Sequence, residues 1–169
     1  MPGYTILVVD TNILLSSLPM VSALIESMRW TVVVPLPVIM ELDGLASNAS
    51  PLGDAAQNAL TYVSTHVRSH ALSLKIQTSK GNYLTTLSVR TEQVDFGGDG
   101  AEGGREKSMD DLILKAAIWQ DEHWVDRREL LKAEPVGEAE VQAAVKVVLL
   151  SLDRNREFIF LSIILVGRC

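Results

Sequence analysis

The chain has 169 residues, 47% hydrophobic and 21% charged, which suits one domain with a real core and excludes a disordered chain. A formal net charge of -6 argues against a general nucleic-acid coat protein, yet not against an enzyme whose acids hold cations. The one cysteine, Cys169, excludes a disulfide framework and a cysteine zinc site, and points to a reducing compartment, cytoplasmic or nuclear.

The sequence opens on Tyr4–Asn12, YTILVVDTN, where Ile6 to Val9 form an unbroken apolar run. A run that short without alternation predicts a strand buried on both faces of a parallel sheet. It ends on Asp10, with Thr11 or Asn12 placed to cap a helix near Ile13. Apolar residues from Ile13 to Met28 keep helical spacing, with Pro19 expected to divide the segment into a loop and a helix. Thr31–Val34 is the second buried strand, closed by Pro35 and Pro37, and VIMELDGLA reads as the first turns of a helix.

Asn48–Gly53 has the composition of a loop, and a helix is expected from Asp54 to about Ser69. Ser73–Thr78 alternates like a strand, Lys80-Gly81-Asn82 is a turn, and Leu84–Phe96 carries mixed signals. Gly97–Lys107 is glycine-rich but lacks the phosphate-cradle spacing GxxxxGK[ST]. Ser108 then caps a helix carrying Leu112, Ile113, Ala116, Ala117 and Trp119, and Asp121–Glu138 reads as a surface loop or short helix. Val141–Leu150 ends in a buried strand with Asp153 just after it. The apolar tail Phe158–Val166 is too short for a membrane span, so no membrane partner is expected; it either adds a strand to the sheet edge or packs poorly. No secretion signal opens the sequence. His66 and His70 stand four apart, as on a solvated helix face, and His123 is remote from them in sequence.

Acids recur at strand and helix boundaries: Asp10 after the first strand, Glu41 on the helix after the second, Asp110 and Asp111 opening a helix, Asp153 after the last strand. In a parallel sheet these boundaries face one edge. Each acid alone has an ordinary reading, as a cap, a solvated helix residue or a polar turn. Together, converging carboxylates without basic partners repel unless they bind cations, and oxygen-only clusters select Mg²⁺ or Mn²⁺. Such a cluster activates water and steadies a phosphodiester during in-line attack.

This pattern resembles the PIN-domain nucleases, and among them the PIN domain of the Est/SMG-type proteins of nonsense-mediated mRNA decay and telomerase association. The resemblance is carried by VVDTN (Val8–Asn12), VVVPLPVIMELDGLA (Val32–Ala46), SKGN (Ser79–Asn82), DDLIL (Asp110–Leu114) and VVLLSLDRN (Val147–Asn155). It implies an α/β, three-layer PIN-like fold over residues 1–157, a central parallel sheet flanked by helices, followed by an atypical apolar tail, 158–169. It implies endonucleolytic cutting of single-stranded RNA with Mg²⁺ or Mn²⁺, in mRNA quality control, with mRNA-decay or telomerase-associated proteins as partners. On the same resemblance Asp10, Glu41, Asp110 and Asp153 are the catalytic, metal-binding acids. Thr11, Asn12 and Ser151 orient the site by hydrogen bonds, and Asp111 is an auxiliary acid.

Two departures from the family pattern stand out. Leu152 occupies a position where close relatives often carry a second acid, and EFIFLSIILVGRC does not resemble the family's ending. Both keep a second reading open, a degenerate PIN module that binds RNA or a protein partner without cutting. A third, phosphoryl transfer through an aspartyl-phosphate, ranks last because position 12 is Asn where such sites usually have a second acid. Lys80, Arg90, Arg105, Lys107, Arg154 and Arg156 are candidates for holding RNA phosphates, with Lys80 and Arg154 preferred because they lie near turns at the expected site edge. With aromatics at 5%, a base-stacking platform is not expected.

Overall fold

The apolar run that opens the chain is buried throughout: Ile6, Val8 and Val9 are at most 1% exposed and Leu7 8%. It forms β1 (Thr5–Val9), with strands on both sides, as a run without alternation requires. A computed structural model describes residues 5–88, 109–130 and 146–152. The chain runs from β1 through α1 (Thr11–Glu26), β2 (Thr31–Pro35), α2 (Leu36–Ala46), α3 (Pro51–His66), β3 (Leu74–Gln77) and β4 (Tyr83–Leu84) to α4 (Met109–Leu130) and β5 (Lys146–Leu150). The strand order is β4-β3-β2-β1-β5, and helices flank the sheet.

β2 and β5 pair parallel with β1, and β3 pairs parallel with β2. Among the described strands only β4 is antiparallel, beside β3. The early strands step from β1 to β3 in one direction, and β5 lies on the other side of β1. The switch in strand order therefore falls between β1 and β5, where open α/β sheets place their crevice. The Asp10 N–H bonds to the Leu150 carbonyl at 3.1 Å, continuing the ladder to the end of the strand.

Several boundaries differ from the sequence expectation, mostly through proline. Pro19 does not divide a loop from a helix. α1 is helical on both sides of one kinked residue, Ser17 (φ -140, ψ 32). Pro19 lacks the N–H that would bond the Leu15 carbonyl, so the helix gives way locally and resumes. Pro35 and Pro37 do not stand outside the regular elements: Pro35 ends β2 and caps α2, and Pro37 lies in its first turn, where a missing N–H costs nothing. Likewise α3 begins at Pro51, with the Ser50 side chain accepting from the Gly53 N–H at 3.1 Å.

α2 and α3 are joined by so tight a turn that a Cβ at Gly53 would stand 1.9 Å from the Asn48 carbonyl oxygen. The β3–β4 turn matches expectation, with Gly81 at φ +81 under the Trp119 ring. α4 is much longer than expected and absorbs the charged stretch through Leu130. Its buried Gln120 donates its side-chain amide to Gln77 Oε1 at 2.6 Å and to the Tyr83 hydroxyl at 2.9 Å, tying the helix to the β3–β4 hairpin. The glycine-rich segment, the Ser108 cap and the apolar tail lie outside the described residues.

Candidate functional site

Asp10 ends the central strand and is buried, 8% exposed. Its Oδ1 accepts from the Ile13 N–H at 2.8 Å, so the acid caps α1 and its carboxylate is fixed in direction. The next residue, Thr11, is buried too and donates its hydroxyl to Glu41 Oε2. That bond crosses from the first turn of α1 to the middle of α2. Asp110 stands in the first turn of α4, where the helix dipole favours an acid.

These elements enclose one open cleft of about 520 Å³. Asp10, Thr11, Asn12, Glu41 and Asp110 supply its polar lining, and Leu15, Gly44, Leu45, Leu52 and Ile113 the rest. The lining follows a rule of helix geometry. Asn12 is followed at i+3 by Leu15, Glu41 at i+3 and i+4 by Gly44 and Leu45, and Asp110 at i+3 by Ile113. One turn advances about 5.4 Å, so the apolar lining lies beside the carboxylates instead of among them.

Three of the four expected acids thus face one cleft, contributed by three separate segments. The fourth, Asp153, and the basic candidate Arg154 lie outside the described residues. Asp111 and Ser151 are exposed, as is Lys80 at the β3–β4 turn, and none of the three is among the residues lining the cleft. The sequence reading missed the apolar lining. Its signal was present, since each apolar position or Gly44 stands one turn from a residue already singled out; only Leu52, on α3, has no such marker.

No Lys or Arg is among the described residues that line the cleft. Its donors are carboxylate, hydroxyl and amide groups, with no thiolate or imidazole, and in kind they fit a hard divalent cation. Among the described residues, no group of three His, Cys, Asp or Glu stands close enough to hold a metal ion.

A mostly parallel α/β sheet with an acidic cleft at its switch point is the class of protein defined so far. The model of the PIN domain family matches residues 7–158, and the chain belongs to that family. It is 30% identical over 163 residues to a Danio rerio protein named telomerase-binding protein EST1A, a match covering 88% of this chain and 10% of that protein. The chain spans about a tenth of the length of the relative it matches. Family membership makes it a nuclease-type or RNA-related module. Among the described residues, no helix is long and apolar enough to cross a membrane.

Proposed function

We propose that this PIN domain is a Mg²⁺- or Mn²⁺-dependent endoribonuclease that cuts single-stranded RNA. The observation that carries the reading is the meeting of Asp10, Glu41 and Asp110 in one cleft with no lysine or arginine among its described lining. Carboxylates that line one cleft repel one another, and a divalent cation bound among them offsets that repulsion. A bound divalent ion supplies Lewis acidity to the phosphate and lowers the pKa of water at the site.

The chain's own residues have distinct parts in this reading. Asp10, Glu41 and Asp110 line the cleft and would supply oxygen ligands to the cation, a set complete only with Asp153. The Ile13 N–H and the Thr11 hydroxyl aim two of those carboxylates, and Asn12 contributes a further polar group at the rim. Ser151, Asp111, Lys80 and Arg154 belong to the outer site, the two bases guiding the strand. Water forms the new bond to phosphorus as the P–O3′ bond breaks, and the departing 3′ oxygen takes up a proton. The products carry 5′-phosphate and 3′-hydroxyl ends.

The test is cleavage of a labelled single-stranded RNA by wild type and Asp10→Asn, in Mn²⁺ and in EDTA. Wild type cuts only with Mn²⁺, and the variant does not cut. Equal cutting by both, or cutting that persists in EDTA, ends the reading. A second reading, a module that binds without cutting, is favoured by Leu152, 51% exposed at a position where the family resemblance leads one to expect a second acid. RNA binding with no cutting by either protein selects it. The name of the Danio rerio relative supports telomerase-associated proteins as partners, beside those of mRNA decay.

A further inference from the structure

Gly44 is the position in the cleft where a side chain is missing. It stands one turn beyond Glu41 on α2, and a Cβ built there meets no atom within 4 Å. Most helix-interior glycines are a cost to the helix, and this one fills no tight contact that would require it. The need for glycine therefore lies outside the packing of the described residues. Beside it stand Leu45 and Leu15, both part-buried, and Leu52, a leucine left 50% exposed in the first turn of α3. An exposed leucine, a missing side chain and two part-buried leucines make an apolar recess in a cleft whose other side is carboxylate.

Resting on the nuclease reading, we infer that this recess receives one unstacked nucleobase next to the phosphate under attack, and that Gly44 keeps it open. A nucleotide has the same division of character, an anionic phosphate joined to a flat, largely apolar base. The phosphate belongs at the acid side with its cation, and the base on the Gly44–Leu45–Leu52 wall. The described wall offers no side-chain hydrogen-bond donor or acceptor, so it accepts any base and reads none. A stacked duplex does not offer its base to such a wall, which selects single strands. Gly44 is then a specificity-determining position and touches no metal ligand's role.

The test compares a fluorescein-labelled single-stranded RNA with an abasic strand of equal length. Binding is followed by anisotropy on the full chain in Ca²⁺, a cation that oxygen-donor sites accept. Wild type prefers the base-bearing strand by about tenfold, the scale expected for covering one flat, largely apolar base face with leucines. Gly44→Trp, which fills the recess, and Leu52→Ser, which strips its outer wall, both bring that preference close to one. Gly44→Ala keeps the preference and raises the melting temperature, because the added methyl meets open space. The variants' melting temperatures are measured alongside, and Leu52→Ser, on a half-exposed residue, keeps the test valid if Gly44→Trp folds poorly. If both variants retain the wild-type preference while wild type still cuts RNA in Mn²⁺, the recess is not a base site and the nuclease reading stands. If wild type neither binds nor cuts RNA, the nuclease reading falls and this inference with it.

Discussion

The Thr11 hydroxyl donates to the Glu41 carboxylate, joining the first turn of α1 to the middle of α2 across the floor of the cleft. Thr11 is buried and Glu41 half-buried, so the bond is only partly exposed to competing water, and it fixes an acid that would otherwise swing on a long side chain.

Thr11→Val keeps the shape and removes the donor. Loss of such a positioning bond costs about 10–100-fold in metal affinity or activity. The expected outcome is weaker Mn²⁺ binding by calorimetry and proportionately slower cutting of single-stranded RNA, with the fold retained. Unchanged Mn²⁺ affinity would show that Glu41 needs no such anchor.

Asp10 has two tasks that substitutions can separate. Asparagine caps a helix about as well as aspartate, whereas alanine costs about 1 kcal/mol at such a cap. Asp10→Asn and Asp10→Ala should both abolish cutting, while only Asp10→Ala loses stability in urea titration. Equal stability of the two would mean that the bond from the Ile13 N–H contributes little.

The turn glycines predict losses of another kind. At Gly81 a Cβ would lie 2.1 Å from the Trp119 ring, and the backbone is at φ +81. Gly81→Ala therefore strains the turn and displaces the indole together, for a cost of about 2–4 kcal/mol. A lower melting temperature and an altered tryptophan emission report the two effects. Native emission with native stability would overturn the prediction.

Gln77 and Gln120 are both buried and bonded to each other. Gln120→Leu strands the buried Gln77 amide and should cost about 1–3 kcal/mol, Gln77→Leu leaves Gln120 its Tyr83 partner and should cost less, and replacing both should cost less than the sum. A double-mutant cycle by urea denaturation measures the difference, and simple additivity would show that the bond carries no coupling.

Burial, and after it the neighbouring Glu122 carboxylate, raises the Asp121 pKa above the ordinary value. A folded-state pKa above the unfolded one favours the folded protein while Asp121 is protonated, and that contribution fades as pH rises through the raised value. Asp121→Asn should therefore be the more favourable variant at neutral pH, and its advantage over wild type should shrink toward about pH 4. Melting temperatures of both proteins at the two pH values check the sign.

The acids were legible because each stands where an apolar pattern stops. Asp10 closes the run Ile6–Val9, and Glu41 and Asp110 fall on helices whose starts the neighbouring patterns mark. The recess beside them was not legible, because it depends on how α3 folds back on α2. That fold-back is set by the contact of Gly53 with the Asn48 carbonyl, in a segment whose Ser, Asn, Pro and Gly content reads as plain loop. The prolines misled for a related reason: Pro35, Pro37 and Pro51 look like terminators and serve as helix starters. α4 was cut short in the reading because the stretch from Asp121 is charged and loosely patterned, while the contact that ties the helix to the sheet is made by a buried polar residue, Gln120, that adds nothing to the apolar period.

The pairing of Thr5 with Lys146 has a consequence for the order of folding. The strand that carries Asp10 finds β2 nearby in sequence, while its partner on the other side, β5, lies far along the chain. Contacts so distant in sequence form slowly, since most of the chain must be ordered before they are rewarded. Until β5 has docked, β1 is paired on one side and the Asp10 N–H lacks the Leu150 carbonyl that holds it. The acidic cleft at the end of β1 is therefore among the last features of this domain to be completed as it folds.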